Sequence, residues 1–344
     1  MLNPLKKALI TGITGQDGSH LAELLVKKNY KVFGLVRNTK QASLVNIEKL
    51  YKDKKITLLK GNLKDLKSIK KALLIAKPDE IYNLAAQTNN VRSFKFPKET
   101  YDINYYGVGY VVDCARKINP KVRIFQASSS KMFENSKLQL NENSSFNPTS
   151  PYGKAKLEAH NKYVLNYRKK YNLFICSGIL FNHESPRHIP NSVIGKISES
   201  LVKIKMGSGD SLKLGNIDNK CDWGYSKDYV KAMWMMLQQK KPLDFVIATG
   251  EMHSVREFVE ESCKLLKIDL IWKGKGINEK GINKKTNKTI IEIDPKYFRL
   301  NETNYFCGNI QKAKRLLGWK PKCNFKKLVK IMIKSDLEKE KDQV

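Results

Sequence analysis

Three residue types at fixed spacing in this chain could move a proton and a hydride together. Tyr152 and Lys156 stand four apart in Tyr-Gly-Lys-Ala-Lys, which puts both on one helix face, and the serine cluster Ser128, Ser129 and Ser130 closes an apolar run upstream. An ammonium beside a phenol favours the phenolate and lowers its pKa, while a serine hydroxyl can hydrogen-bond the same substrate oxygen. Such a group takes a hydroxyl proton while hydride leaves the carbon that bears it. Tyr-x-x-x-Lys alone is common on surface helices, so its weight comes from a second motif. Thr11-Gly12-Ile13-Thr14-Gly15-Gln16-Asp17-Gly18 lies between the apolar run 8–10 and a helical segment over 19–28. A strand, a glycine-paced turn and a helix N-terminus make a cradle for a dinucleotide pyrophosphate. Glycine permits positive φ there and lets backbone N–H groups approach phosphate oxygens.

The elements that must position these groups alternate along the chain. Strand-like runs at 8–10, 32–36, 56–59, 81–85, 122–127 and 174–180 are separated by helical periodicity over 19–28, 66–76, 100–118 and 151–171. That alternation predicts an α/β fold, a Rossmann-type doubly wound parallel sheet whose ligand crevice lies beyond the carboxyl ends of the strands. After Leu180 the pattern turns irregular as far as Asp218, and a helix over 225–239 and a strand over 245–248 then return to the sheet. Helices over 255–266 and 310–317 flank a polar, lysine-rich segment. The expected organisation is a dinucleotide-binding domain from 1–180 plus about 215–249, a smaller discontinuous α/β lobe from about 181–214 plus 250–335, and a charged tail over 336–344 that frays from 338.

The second strand ends in Gly34-Leu35-Val36-Arg37. A carboxylate there would bind a ribose 2′-hydroxyl, whereas arginine suits a 2′-phosphate and points to NADP; a plain surface arginine is the alternative. Asn62, with Leu63, is placed to face adenine, and Leu84, Ala85, Ala86 and Gln87 close the fourth strand where a small pair admits the nicotinamide half.

Composition narrows the classes. The formal charge of +31 comes from 64 Lys and Arg against 33 Asp and Glu, but the lysines are spread along the whole chain without a basic arm, which argues against nucleic acid. A basic surface still steers anionic substrates. No apolar run is long enough to span a membrane, and the first strand begins too early for a signal peptide, so a cytoplasmic protein is expected. The six cysteines are dispersed without metal-ligand spacing, nor do the five histidines show any, so no metal and reduced thiols are expected.

Several longer segments carry a resemblance: Ile10-Thr-Gly-Ile-Thr-Gly-Gln-Asp-Gly-Ser19, Ile81-Tyr-Asn-Leu-Ala-Ala-Gln87, Ser150-Pro-Tyr152, Gly178-Ile-Leu-Phe-Asn-His-Glu-Ser-Pro-Arg187, Asp222-Trp-Gly224 and Asp294-Pro-Lys-Tyr-Phe-Arg299. Through them the chain resembles the extended short-chain dehydrogenase/reductases and, within these, the GDP-mannose 4,6-dehydratases. The resemblance implies NADP as a recycled cofactor and a three-step reaction on GDP-mannose. Tyr152 removes the 4-hydroxyl proton as hydride passes to the cofactor, water is lost across C5 and C6, and hydride returns to C6. It implies Ser129, Tyr152 and Lys156 as the oxidising set, and a sugar-nucleotide site drawn from Thr88, Ser93, Asn182, Glu184, Ser185, Arg187, Lys196, Lys220, Arg299 and Glu302. It also implies a homodimer or homotetramer, joined through the helices that carry Tyr105 and Tyr152. The family's carboxylate for the C5 and C6 protons falls on Lys131, and its arginine before Asp-Trp-Gly falls on Cys221, while Asn38 and His188 replace two further arginines. Lys131 could act as a base only with a strongly depressed pKa, and Glu184 could replace the missing carboxylate only if its loop folds inward. Two other readings therefore remain: a GDP-hexose or GDP-heptose 4-oxidoreductase or 4-epimerase without efficient dehydration, and a non-catalytic nucleotide-sugar-binding subunit.

Overall fold

The computed structural model describes residues 5–39, 43–188, 192–298 and 306–342. Its centre is a parallel sheet of β1 (Lys7–Thr11), β2 (Lys31–Val36), β3 (Ile56–Lys60), β4 (Glu80–Asn83), β5 (Arg123–Ser129), β6 (Ile175–Leu180) and a last strand, Phe245–Ile247. The spatial order is Phe245–Ile247, β6, β5, β4, β1, β2, β3, so the order reverses between β1 and β4. Strands such as Lys7–Thr11 and Ile175–Leu180 are apolar almost throughout because helices cover both faces of the sheet. On one side Leu21 and Leu25 of the helix α1 (Gln16–Lys27) pack with Met233 and Met236 of Ser226–Leu237. On the other, Ile69 and Leu73 of Leu66–Ala76 pack with Val111 and Val112 of Gly107–Ile118 and with Tyr163.

A separate apolar cluster forms around Phe258, Ile291, Leu328 and Met332. Three helices, Val193–Met206, Val255–Leu265 and Phe325–Lys341, enclose it against a four-stranded mixed sheet. In that sheet Leu212–Leu214 pairs in parallel with Lys288–Ile293, so chain segments far apart in sequence share one layer.

The structure corrects the sequence reading in several places. The stretch after Leu180 contains the fourteen-residue helix Val193–Met206, whose buried Ile194, Ile197, Leu201 and Val202 repeat at helical spacing between lysines and serines. The lysine-rich segment after Leu265, to which the sequence reading gave no elements, is a meander of Leu270–Lys273, Lys280–Asn283 and Lys288–Ile293. The chain is helical from Phe325 to Lys341 rather than frayed from 338, with Asp336 buried and accepting from Ser198 Oγ at 2.5 Å. The long helices over 100–118 and 151–171 each contain a π-helical turn, at Asp102–Tyr106 and His160–Asn166. Finally, α1 starts at Gln16 rather than Ser19, because Gly18 packs directly on the glycine turn.

A methyl group on Gly18 would lie 2.2 Å from the Gly12 carbonyl oxygen and 2.7 Å from Ile13 Cα, both backbone atoms. One on Gly15 would come no closer than 3.3 Å to that oxygen. Gly18→Ala is therefore expected to cost about 1–3 kcal/mol in urea unfolding, and Gly15→Ala clearly less. Equal midpoints for the two variants would contradict the packing described.

Candidate active site

A cavity of about 1160 Å³ opens at the carboxyl ends of β1, β2, β4, β5 and β6, at the order reversal of the sheet. Its floor is set by a run of buried side chains. Thr11 Oγ1 accepts from the Leu84 and Ala85 N–H groups, each at 3.0 Å, and donates to Asn83 Oδ1 at 2.7 Å. The Asn83 amide donates to Gln126 Oε1 at 2.8 Å, and Gln126 donates to the Ala127 carbonyl at 3.0 Å. That carbonyl also accepts from Lys156 Nζ at 2.8 Å. A continuous polar line thus joins the glycine turn to the lysine.

The helix Pro151–Ala159 that carries Tyr152 and Lys156 is fixed at its start by Ser150, whose Oγ accepts from the Gly153 N–H at 3.1 Å, with Pro151 at the first helical position. Gly153 lets this helix touch the turn after β5, since a Cβ there would stand 2.3 Å from the Lys131 carbonyl. Ser129, Tyr152 and Lys156 all line the cavity. Burial pushes the Tyr152 phenol above its usual pKa, and the hydrogen bond with Ser129 pulls partly back. The expected depression by Lys156 is therefore not found: its Nζ is 5.9 Å from the Tyr152 ring centroid and is committed to the Ala127 carbonyl. Burial also depresses Lys156 to about 8.

At the other end, Gly12, Thr14, Gly15, Gln16, Asp17 and Gly18 all line the cavity, with Gly12 at φ +73°. A Cβ on Gly12 would sit 3.0 Å from the Ala85 nitrogen, so the glycine turn and the end of β4 form a cradle that a side chain would fill. No side chain caps the start of α1, which leaves its first N–H groups directed at the cavity. These features fit a dinucleotide. Arg37, Asn62, Leu63, Leu84, Ala85, Ala86 and Gln87 complete that half of the wall, as does Arg92, which the sequence reading missed.

Asp17 occupies the first turn of α1, where it meets His183. His183 Nε2 lies 2.8 Å from Asp17 Oδ2, His183 Nδ1 lies 2.7 Å from the Phe181 carbonyl, and Ser226 Oγ donates to Asp17 Oδ1 at 2.7 Å. Burial works against charge on both partners, but the pair outweighs it, holding Asp17 low and His183 high. The result is a carboxylate–imidazolium pair tying α1 to the segment after β6.

The residues expected to hold a sugar nucleotide divide. Thr88, Asn182 and Glu184 line the cavity. Arg187 instead grips α1, donating to Ser19 Oγ at 3.1 Å and pairing with Glu23, and Ser185 donates to Gln16 Oε1 at 2.9 Å. Ser93 is buried against the Asn90 carbonyl, and Lys196 donates to the Lys213 carbonyl at 2.7 Å. Lys220 is exposed in a two-residue strand beside Ser254. Arg299 and Glu302 lie outside the described residues. Lys131 is not part of the wall: its Nζ stands 4.3 Å from the Phe306 ring centroid, beside Cys221. Asp222 of the Asp-Trp-Gly segment is a buried fastening, accepting from Thr249 N and Oγ1, Gly250 N and Gly308 N.

The geometry agrees with what the chain is similar to. The family model described as GDP-mannose 4,6 dehydratase matches residues 9–332. The GDP-mannose 4,6 dehydratase of Drosophila melanogaster is 45% identical over 342 residues, covering 97% of this chain and 86% of that protein. The Homo sapiens protein of the same name is 45% identical over 348 residues, covering 98% and 93%. Among solved structures, dTDP-glucose 4,6-dehydratase from Bacillus anthracis in complex with NAD superimposes with a TM-score of 0.78 at 21% identity, covering 98% of each chain, which bears on the fold. With a family match over nearly its whole length and two relatives at this identity, the chain belongs to the GDP-mannose 4,6-dehydratase family.

Proposed function

We propose that this protein converts GDP-mannose to GDP-4-keto-6-deoxymannose with NADP as a recycled cofactor. The observation that carries the reading is the meeting of Ser129, Tyr152 and Lys156 with the glycine cradle on one cavity, in a chain of this family. When bound, the dinucleotide supplies a hydride acceptor for C4 that later returns the hydride to C6, leaving no net redox change. The chain's residues supply the rest. The cradle and the α1 N-terminus hold the pyrophosphate, and exposed Arg37 at the end of β2 takes a 2′-phosphate. Ser129 hydrogen-bonds the sugar O4 and Tyr152 takes its proton. A charged Lys156 keeps the resulting phenolate tolerable at a buried position. Thr88 and Asn182 lie where the sugar and diphosphate must pass. A second reading, C4 oxidation and re-reduction without water loss, is favoured by one observation: position 131 carries a lysine, whose Nζ lies 4.3 Å from the Phe306 ring centroid.

Incubation with GDP-mannose and NADP⁺ in heavy water separates the two. A product lighter by one water and deuterated at C5 supports dehydration, whereas a 4-keto sugar with no water lost supports the second reading. Tyr152→Phe should lower either activity by about 10²–10⁴-fold, the usual size of a lost general base. A variant within tenfold of the natural rate would remove Tyr152 from the reaction.

Arg37→Ala tests the cofactor. Losing one charge-assisted phosphate contact should weaken NADP binding by roughly 10–100-fold while leaving NAD binding nearly unchanged. Natural protein that binds both equally would count against NADP.

Lys156 also makes a stability prediction. Its folded pKa of about 8 lies below the usual lysine value of 10.5, so below about pH 8 the protein carries a burial penalty of roughly 3 kcal/mol. Between 8 and 10.5 the unfolded chain binds the extra proton, so the natural protein gains stability as pH rises through that window. Lys156→Met should therefore be inactive yet at least as stable as the natural protein at pH 7, with any advantage shrinking above pH 8. A variant much less stable at pH 7, with no such trend, would show that the ammonium is not strained by burial.

A further inference from the structure

Dehydration needs a group that takes the C5 proton and protonates the departing C6 hydroxyl, and Tyr152 is already committed to O4. Three carboxyl groups line the cavity among the described residues: Asp17, Glu99 and Glu184. Asp17 is locked to His183 and Ser226, and Glu99 is paired with Arg92 at 2.9 Å. Both are held below the usual carboxylate range, Glu99 by the Arg92 hydrogen bond and Asp17 by its partners against burial. The other proton carriers on the wall are engaged as well, His183 at both ring nitrogens and Lys156 at the Ala127 carbonyl. Glu184 differs, its Oε2 accepting from the Ser192 hydroxyl at a long 3.4 Å. It sits in the strand His183–Glu184, held beside Gly224–Tyr225, four residues beyond Leu180, which is the register partner of Ser129. The loop therefore folds inward.

We propose that Glu184 is the acid–base group of the elimination, taking the role that Lys131 cannot fill. The inference rests on the dehydratase reading. With the 4-keto group formed, the Glu184 carboxylate accepts the C5 proton. The C5–H electron pair becomes the C5=C6 bond, the C6–O bond breaks, and the same proton passes from Glu184 to the leaving hydroxyl, so that water departs. Protonation at C5 then accompanies hydride return to C6, the proton coming from solvent through Glu184. Burial pushes this carboxyl up to about 7, with His183 and Ser192 pulling the other way and Asp17 adding to the rise, so acid and carboxylate coexist near neutrality. The charged and titratable groups that act on it are His183 on its own strand and Asp17 on α1, while Tyr152 and Lys156 line the same cavity.

The test compares the natural protein with Glu184→Gln and Glu184→Asp on GDP-mannose and NADP⁺ in heavy water. Glu184→Gln should keep reversible C4 oxidation within about fivefold and keep NADP-induced thermal protection, while water loss and C5 deuteration both fall at least about 100-fold. Glu184→Asp should retain part of the water loss, and Lys131→Glu added to Glu184→Gln should restore some. Without substrate, infrared difference spectra between pH 5.5 and 8.5 should show a carboxyl titrating in the natural protein that is missing from Glu184→Gln. Water loss in Glu184→Gln within tenfold of natural overturns the inference, as does an equal loss of C4 oxidation, which would mark a binding role. If Glu184→Gln does not fold, the Glu184→Asp rates and the infrared titration of the natural protein decide: undiminished elimination, or no carboxyl titrating near neutrality, overturns it. Natural protein that oxidises C4 but never releases water would overturn the dehydratase reading and this inference with it, whereas normal water loss by both proteins overturns the inference alone.

Discussion

The buried hydrogen-bond line from Thr11 through Asn83, Gln126 and the Ala127 carbonyl to Lys156 is the constraint on which the rest of the site depends. Thr11 and Asn83 are register partners between β1 and β4, as are Asn83 and Gln126 between β4 and β5. A slip of one residue would turn these side chains to the opposite face and strand several buried polar groups, each at about 1–3 kcal/mol. Strand register and the position of Lys156 are thus specified by the same bonds. The glycine turn sits at one end of the line and the Tyr152 helix at the other, so the two halves of the chemistry are held at a fixed separation by the sheet itself.

Charge is placed against burial twice in this site, with opposite results. Asp17 and His183 are both poorly placed for ionisation on their own, yet their mutual contact and the hydrogen bonds from Ser226 and to Phe181 keep both charged. Lys156 has only a carbonyl oxygen for company, and its proton is held less tightly as a consequence. The first arrangement makes a rigid joint between α1 and the chain after β6. The second leaves a buried cation with one carbonyl partner on the same cavity wall as the Tyr152 phenol.

Much of this was legible in the chain because it is local. Apolar runs punctuated by helical periodicity identify six sheet strands and the return of Phe245–Ile247, and the spacing of Tyr152 and Lys156 needs only one helix turn. The Ser254–Glu257 capping box is equally local. What escaped depends on distant partners. Val193–Met206 carries its own helical spacing of apolar residues, which the sequence reading passed over, and its partners Phe258, Leu328 and Met332 lie far along the chain. Gln126 looks like one more residue in a buried strand until Asn83 is placed beside it. The phenol of Tyr152 was expected to be acidified by its neighbour, a pairwise effect, but the environment of the whole pocket decides its sign. Arg187 and Ser185 read as ligands of a sugar nucleotide, yet the same hydrogen-bonding capacity serves to clamp α1.

Position 131 illustrates how a site can reassign a role without losing its frame. The turn Ser130–Met132 keeps its shape because the Lys131 carbonyl is pressed against Gly153 and its N–H donates to Ser129 Oγ at 3.2 Å, both backbone interactions indifferent to the side chain. The side chain instead answers to its surroundings, where the face of Phe306 carries the negative side of a ring quadrupole. An ammonium is attracted to that face and a carboxylate is repelled by it. Lys131 and Phe306 therefore suit one another as a pair, and the same ammonium opposes burial in holding down the Cys221 thiol. On the proposed reading the proton of the elimination is carried instead by a carboxyl that another element brings to the cavity, that of Glu184, whose short strand pairs in parallel with Gly224–Tyr225.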